Sequence, residues 1–392
     1  MAITKIDSSM LEDVSGANNL VKLDANAKIP AGTGANLLNK PGPFTSASDP
    51  TISSNKTLGT EWLNSASGEM YICTDATAGE NVWTNVGAGT GDVAPYYWGG
   101  ETYGYTCGGT DGSSGQINPI DKFSFTSDAD ATDVGDLAVA RHNCAGHQSA
   151  TYGYNFGGWG PSYSNVIEKV SFSTDGNATD VGDTTNVTHG PTGSSSATYG
   201  YQQGGKATSS SWLNIIDKVS YSADGNATDV GDLTLERQQG GGHSSATHGY
   251  MSGGNRNYGT LYDRIDKHIF SSDSNATDVG NTLAARSSWA AQSSETYGYT
   301  SGGGSNNAGV NVIQKFSFSS DGNSTDVGDT VSTRYGQCGQ SSLTYGYESG
   351  GGYPTEVTTF NQIDKFSFSA DGNSTDVANL TVPRLNSAGN SH

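Results

Sequence analysis

One short stretch of the chain carries residue types that bind metals. His142, Cys144 and His147 follow one another as His-x-Cys-x-x-His, and imidazole nitrogens and thiolates are common zinc ligands. The triplet occurs once, on a predicted strand whose alternation points His142 and Cys144 to one face and His147 to the other. Ligands on opposite faces do not converge on one ion, so we predict no metal site and no cofactor.

An acidic pattern, Asp-Gly-Asn-(Ala/Ser)-Thr-Asp-Val, recurs at 224–230 and 371–377. A calcium loop needs several oxygen ligands that converge in one short segment, and Asp224, Asn226 and Asp229 could offer some. Gly, Asn and Asp at these spacings are also the residues that form and cap a turn, which is the interpretation we favour. Asp121-Lys122 and its counterparts recur in the same way and indicate contacts between repeats. We therefore predict no catalytic residue.

These patterns belong to a long internal repeat. The marker Thr-(Tyr/His)-Gly-Tyr-x-x-Gly-Gly begins six times at spacings of 49, 47, 49, 49 and 48 residues: at Thr102, Thr151, Thr198, Thr247, Thr296 and Thr344. A fixed period of this length is typical of an array of supersecondary units. Each repeat contains four short segments bounded by Gly, Ser, Asp and Asn, which predicts four strands and almost no helix.

Four strands in each of six repeats, with Gly-Gly after the second strand, predict a β-propeller. The order Arg141, Tyr154 to Gly158, Phe172 and Val181 resembles kelch-type repeats, although Val stands where that family has Trp. The last copy stops after its first-strand segment, Arg384 to His392, and the first copy lacks that segment. The C-terminal strand should therefore complete the first blade; Tyr96 to Gly100 is the alternative for that position.

Two sets of residues are candidates for binding. The loops between the Gly-Gly and the third strand differ among repeats and should share one rim, where aromatic side chains could stack on sugars: Trp159, Tyr163, Trp212, Tyr258, Tyr262 and Tyr353. A second set falls six residues after the Arg position on the innermost strand and could form a polar ring around a hydrated channel: His147, Ser194, His243, Gln292, Gln340 and Asn390. Some rim aromatics could instead cover blade edges.

Composition excludes several classes of protein. The formal charge is −20, with 19 basic residues among 39 acidic ones, which argues against binding to nucleic-acid phosphates. No apolar run is long enough to span a bilayer, and the N-terminus lacks the apolar core of a secretory signal. The four cysteines are irregularly spaced, which favours reduced thiols.

The first 94 residues do not share the repeat. We predict an N-terminal segment at 1–40, a linker rich in Pro, Ser and Thr at 41–56, and a small β domain at 57–94 with Trp62, Met70, Ile72 and Trp83 as its core; the propeller then occupies 95–392. Two stretches resemble modules near the N-termini of tailed-bacteriophage fibre and appendage proteins: 20–31, and 59–64 with 67–75 and 81–83. The repeats also resemble those of marine phage structural proteins.

The resemblance implies an all-β protein with a C-terminal six-bladed propeller, a small β domain and an N-terminal virion-attachment segment. It also implies a homotrimer that is made in the host cytoplasm and carried on the virion as a tail or neck appendage, bound through residues 1–40 to other virion proteins. The expected function is non-enzymatic recognition of a host-surface glycan or protein. The alternatives are a structural decoration or adaptor protein whose propeller docks other virion proteins, and a glycan-degrading enzyme.

Overall fold

The computed structural model describes residues 43–86, 99–112, 115–257, 259–305, 308–353 and 358–392. These residues form β-strands and no helix, and the chain divides into two compact units, Met1–Pro95 and Tyr96–His392. The predicted attachment segment at 1–40 and Tyr96 to Trp98 lie outside the described residues.

The first unit contains one sheet of four strands in sequential order: β1 (Phe44–Ser46), β2 (Glu61–Asn64), β3 (Met70–Asp75) and β4 (Val82–Asn85). β1 lies in the segment predicted as a linker and pairs in parallel with β2. The core consists of Trp62, Tyr71, Cys73 and Trp83. The expectation that Met70 and Ile72 are core residues is wrong by one position, since alternate residues of a strand face opposite sides.

The second unit contains six antiparallel sheets of four main strands each. The first sheet contains β5 (Tyr103–Thr110), β6 (Gln116–Ser124), β7 (Thr132–Asp136) and the C-terminal β31 (Ala388–Ser391), and the second contains β8 (Ala145–Gln148), β9 (Tyr152–Phe156), β10 (Ser164–Ser171) and β11 (Thr179–Thr188). The third sheet contains β12 (Thr192–Ser195), β13 (Tyr199–Thr208), β14 (Ser211–Ser220) and β15 (Thr228–Asp232), and the fourth contains β16 (Gly241–Ser244), β17 (His248–Ser252), β20 (Arg264–Ile269) and β21 (Thr277–Asn281), with a small hairpin of β18 (Asn255–Asn257) and β19 (Thr260–Leu261) between β17 and β20 in the chain. The fifth sheet contains β22 (Ala290–Ser293), β23 (Tyr297–Ser301), the short β24 (Gly304–Ser305), β25 (Ala308–Ser317) and β26 (Thr325–Arg334), and the sixth contains β27 (Cys338–Ser341), β28 (Tyr345–Ser349), β29 (Gln362–Ser367) and β30 (Thr375–Asn379).

The C-terminal strand completes the first of these sheets, whose order is β31-β5-β6-β7. Ala388 lies opposite Cys107, and Ser391 lies opposite Gly104. The pairing brings together residues from the two ends of the unit. β31 thus occupies the position of the first strand that the first repeat lacks, as the sequence predicts.

The Gly-Gly directly follows the second strand in four of the sheets, whereas in β5 and β13 it lies inside the strand at a register shift. Gly157 and Gly158 have φ values of +63° and +94°, a region that glycine adopts without the steric cost met by other residues. A Cβ on Gly158 would lie 2.4 Å from Cys144 Sγ. The second glycine therefore also lets the turn approach the neighbouring first strand.

Each sheet packs on the next through a tyrosine of its second strand and an aromatic residue at the end of the next sheet's third strand. Tyr154 stacks on Tyr221 with ring centroids 4.9 Å apart, and Tyr347 of the sixth sheet stacks on Phe125 of the first at 4.7 Å. The remaining pairs are Tyr105–Phe172, Tyr201–Phe270, Tyr250–Phe318 and Tyr299–Phe368. Such pairs contribute about 0.5–1.5 kcal/mol each beyond the area they bury.

The repeated charged residues are also used in structural contacts. The lysine of each third strand bonds to an aspartate in the third-to-fourth-strand turn of the next sheet at 2.5–2.9 Å: Lys122–Asp175, Lys169–Asp224, Lys218–Asp273, Lys267–Asp321, Lys315–Asp371 and Lys365–Asp128. The preceding acidic residue usually pairs with a buried arginine of its own sheet, as in Arg141–Glu168 at 2.8 Å and Arg384–Asp121 at 2.9 Å. The Asp-Lys motif thus makes two kinds of contact.

Candidate functional site

One end of the six sheets gathers the segments that differ most among repeats. Strands alternate in direction within each sheet, so the loop after the second strand and the segment after the fourth strand leave from the same end. Isolated bridges join these two segments, for example between His142 and Trp159 and between His189 and Lys206. We call this side of the second unit the loop end.

Six residues at the loop end, one from each repeat, share a left-handed backbone conformation. Their φ values lie between +53° and +70°, although four of the six are not glycine. Each of these residues donates its backbone N–H to the carbonyl of the equivalent residue in the preceding repeat, at 2.5–3.0 Å. The series is closed because Asn143, the first of the six, donates to the carbonyl of Asn386, the last. We call them the αL hexad: Asn143, Gly190, Gln239, Ser288, Gly336 and Asn386.

The αL hexad and the residue after each member line a cavity of about 90 Å³. The additional lining residues are Cys144, Pro191, Gly240, Trp289, Gln337 and Ser387. A volume of this size has room for several water molecules. No charged side chain occurs among these lining residues, all of which are described.

A cluster of aromatic and imidazole rings lies beside the cavity. Trp159, which is 41% exposed, contacts Tyr163, His142 and His189 with ring centroids 5.4–6.0 Å apart. Tyr163 stacks on His189 at 5.6 Å. The Asn143 amide donates to His189 Nε2 at 3.0 Å, and His189 Nδ1 donates to Gln238 at 3.3 Å. The Trp159 cluster (His142, Trp159, Tyr163 and His189) thus joins the second and third repeats.

Burial keeps the imidazoles of this cluster neutral. Desolvation, and then the neighbouring His189, lower the pKa of His142 to about 4. Desolvation likewise lowers the pKa of His189. Neutral imidazoles beside a half-exposed indole form an uncharged surface at neutral pH, which suits stacking and hydrogen bonding better than ion pairing.

The other predicted rim aromatics are dispersed. Trp212 is half-buried beneath the ammonium group of Lys206, 5.0 Å from the ring centroid. Tyr353 meets Phe360 edge-on at 5.0 Å. Tyr262 is half-buried in the fourth repeat, and Tyr258 lies outside the described residues. Of the six candidates, Trp159 and Tyr163 are in direct ring contact.

The predicted polar ring occupies equivalent positions in the six first strands, and all of its members are buried: His147, Ser194, His243, Gln292, Gln340 and Asn390. Their side chains bond to neighbouring strands. His147 Nδ1 donates to the Ser194 carbonyl at 3.2 Å, and the Asn390 amide donates to the His147 carbonyl at 2.6 Å. With exposures of 0–1%, these side chains contact protein.

The metal-type triplet does not converge. His142 belongs to the Trp159 cluster, Cys144 belongs to a hydrophobic core, and His147 bonds to the next first strand. The described residues contain no group of three His, Cys, Asp or Glu side chains arranged to hold an ion. All four cysteines are buried and free of disulfide bonds.

Five aliphatic side chains near the ends of the fourth strands are partly exposed. They lie within the last residues of a fourth strand or just after it and are 36–50% exposed: Val139, Val187, Leu283, Val331 and Val382. They occupy similar places in five repeats. The loop end therefore combines a polar cavity, one aromatic cluster and scattered apolar contacts.

Inspection of the sequence missed the αL hexad and the two histidines of the Trp159 cluster. A signal for the hexad existed: aligned on the arginine position, the residue two places later is Gly or Asn in four of six repeats, and these residues tolerate the left-handed region best. The histidines gave no such signal, because His142 and His189 meet only through contact between repeats.

The comparisons with known proteins add no family. No protein-family model matches the chain, and a search of curated proteins found no match. None of the described residues belongs to a helix long and apolar enough to cross a membrane.

Proposed function

We propose that the chain is a non-enzymatic bacteriophage virion appendage of the tail-fibre type, which presents the loop end of a six-bladed β-propeller to a host-surface glycan. Residues 1–40 anchor it to other virion proteins, and the protein acts as a homotrimer. The anchoring and the trimer rest on the resemblance of the N-terminal stretches to phage fibre modules.

Contacts that return from the sixth sheet to the first support a closed propeller. Lys365 bonds to Asp128, Tyr347 stacks on Phe125, and the αL hexad bonds end to end. On each first strand, one backbone N–H donates to a side-chain oxygen of the next first strand, and the last donates back to the Gln148 side chain. The donors in chain order are Gln148, Ser195, Ser244, Ser293, Ser341 and Ser391. Six blades closed by β31 account for all of these contacts together.

The Trp159 cluster is the observation that carries the binding proposal. The repeated Arg, Lys and Asp side chains are engaged in structural contacts, whereas this cluster occurs once among the residues that the structure describes and leaves an indole 41% exposed. An exposed aromatic face with polar neighbours is a suitable platform for a sugar ring, because it offers apolar area at low conformational cost.

A glycan array probed with the full chain tests this proposal. We expect binding to at least one glycan and at least a tenfold loss of affinity in Trp159→Ala. Tyr345→Ala is the matched control, since Tyr345 is 37% exposed but lies at the opposite end of a second strand. Equal losses in both variants, or unchanged binding by Trp159→Ala, would contradict the assignment of the site.

The exposed aliphatic residues favour a second candidate, a structural decoration or adaptor protein. Val139, Leu283 and Val331 are each about half-exposed at the loop end, and a docked protein would remove this apolar surface from water. In that case the loop end docks another virion protein. Asp substitutions at these three positions would then abolish docking of that virion protein in assembled particles, and the wild-type chain would bind no glycan on the array.

A further inference from the structure

A row of three side chains crosses the loop end in the third repeat. His189 and Lys206 exchange two backbone hydrogen bonds of 2.9 Å, and Lys206 lies opposite Trp212 in the β13–β14 hairpin. Residues that face each other on antiparallel strands direct their side chains to the same side. The ammonium group of Lys206 accordingly lies over the Trp212 ring, 5.0 Å from its centroid, and the cation–π contact favours that position.

This row adjoins the Trp159 cluster, because His189 belongs to both. The His189 ring contacts the rings of Trp159 and Tyr163 at centroid distances of 5.7 and 5.6 Å. Desolvation is the largest cause of the lowered pKa of His189, and the positive charge of Lys206 lowers that pKa further. The ammonium group is therefore close enough to act on an imidazole that contacts the exposed indole.

The ammonium group of Lys206 has no carboxylate partner within the described residues. Every other Lys and Arg side chain of the second unit, except that of Arg286, bonds to an Asp or Glu side chain. Arg286 belongs to the fifth repeat, whereas Lys206 is partly exposed beside the cluster. Lys206 is thus the cation that this part of the loop end can offer to an anionic ligand.

The segments that carry the Trp159 cluster and the third-repeat row contain no acidic residue, although the formal charge of the chain is −20. These segments are 139–143, 157–165, 186–191 and 205–214. In the fourth repeat, by contrast, the exposed Arg256 pairs with Glu236 at 2.9 Å. A cation that no neighbouring carboxylate neutralises makes its surroundings locally positive and attracts anions.

We propose that the loop end binds an acidic glycan, with a sugar ring stacked on Trp159 and a carboxylate or sulfate group bound by Lys206. The inference rests on the proposed function, because it names the class of sugar for the same site. The imidazole nitrogens of His189 are already bonded to Asn143 and Gln238, so the charged partner of the anion is Lys206. Hydrogen bonds between ionised groups are stronger than those between neutral groups, and Lys206 therefore distinguishes acidic from neutral sugars.

A glycan array of matched acidic and neutral pairs tests the inference. The pairs are glucuronides with glucosides, sialosides with their methyl esters, and galactose 6-sulfate with galactose, so the array also separates carboxylate from sulfate. We expect the full chain to bind at least one acidic member at least about tenfold more tightly than its neutral counterpart. Lys206→Gln should remove this preference and leave the affinity for the neutral member unchanged, whereas Lys206→Arg, which keeps the charge, should retain the preference.

Lys56→Gln is the matched control. Lys56 lies in the first unit over the Phe44 ring, 4.1 Å from its centroid, so the change removes the same charge and the same kind of ring contact. Binding by this variant should equal that of wild type. Equal affinity of wild type for acidic and neutral members, or an unchanged preference in Lys206→Gln, would overturn the inference. A loss of binding in Trp159→Ala would then leave the proposed function standing.

A second measurement addresses Lys206 without the array. The full chain labelled with 5-fluorotryptophan has six tryptophans, and the Trp212 signal is assigned by its disappearance in Trp212→Phe. Methyl glucuronide or galactose 6-sulfate should shift this signal, whereas methyl glucoside should not. Trp62 and Trp83, whose indoles donate to carbonyls of the first unit, serve as internal controls.

The two measurements separate the possible failures. If wild type binds no glycan on the array, the proposed function fails, and the titration alone decides the inference. A Trp212 signal that neither acidic sugar shifts, or that methyl glucoside shifts equally, would overturn it.

Discussion

Acid should destabilise this protein through the two histidines of the first strands. His147 and His243 are fully buried, and desolvation lowers their pKa values from 6.5 to about 3 and about 4. His147 Nδ1 donates to a carbonyl, while its Nε2 has no partner in the described structure. His243 Nε2 instead accepts from Ser252 at 2.9 Å. Protonation would thus place an extra buried charge between the sheets.

The size of the effect follows from linkage. A group whose folded pKa is lowered contributes stability that is present above its unfolded pKa of 6.5 and is lost as the pH falls towards the folded pKa. At pH 5 an unfolded histidine is largely protonated and these two folded histidines are largely neutral. Each therefore lowers the free energy of unfolding by about 2 kcal/mol relative to pH 8, and the two together by about 4 kcal/mol.

The variant His147→Gln with His243→Gln removes both titrating groups. Glutamine occupies the equivalent first-strand positions at Gln292 and Gln340, where its Nε2 donates to the carbonyls of Tyr347 and Tyr105, so the fold accommodates it. Urea denaturation at pH 8 and pH 5 measures, for each protein, the decrease in the free energy of unfolding between the two pH values. Packing costs of the substitution cancel because each protein is compared with itself.

Between pH 8 and pH 5 we expect the free energy of unfolding to fall by about 4 kcal/mol less in the variant than in wild type. With a denaturant slope of about 3 kcal/mol per M, this corresponds to a difference of about 1 M or more in the shift of the urea midpoint. Equal losses in the two proteins would refute the reasoning. They would mean that the two imidazoles titrate near their ordinary pKa, as expected if water reaches them through a hydrated channel.

Three further predictions concern the scaffold. Arg384→Met should lower the free energy of unfolding by about 3–5 kcal/mol, because it leaves the buried Asp121 without its charge partner. Lys365→Met should lower it by under about 1 kcal/mol, because Asp128 is half-exposed. Thermal unfolding of both variants checks this contrast. Deletion of residues 388–392 removes β31 from the first sheet and should lower Tm by at least about 10 °C; an unchanged Tm would contradict the role of β31. Desolvation raises the pKa of Asp364 to about 7; Arg334 opposes this shift, and the nearby Glu348 adds to it. The stability that this group contributes is therefore lost as the pH rises towards 7. Glu348→Gln should reduce that loss, as measured by urea denaturation at pH 5 and pH 8.

The repeat made much of the scaffold predictable. Tyr154 and Gly153 alternate on a strand, Gly157 and Gly158 end it, and the unpaired last segment indicates the pairing of β31 with β5. These features are local patterns that recur in six repeats, so a strand or turn that is poorly indicated in one repeat is indicated by the equivalent residues of the others. The first unit has no such repetition, and the pattern in β3 allowed either Met70 and Ile72 or Tyr71 and Cys73 to face inward.

The candidate site was less predictable, because it depends on contacts between repeats. Trp159 and Tyr163 were found as aromatic residues in a variable loop, but their contact with His189 arises from the next repeat. Gln239 and Ser288 are not residues that indicate a left-handed backbone, so the αL hexad could be found only by aligning the copies. The six residues of the predicted polar ring occupy equivalent positions in the first strands, whereas their burial depends on how closely the small residues of neighbouring strands approach.

A cryo-EM map of the assembled particle tests the central proposal most directly. The account predicts that residues 1–40 are held in a contact with other virion proteins and that the loop ends, with Trp159 and the αL hexad, project free. A map in which the loop ends are buried against other virion proteins would contradict the receptor-binding role and favour the structural decoration.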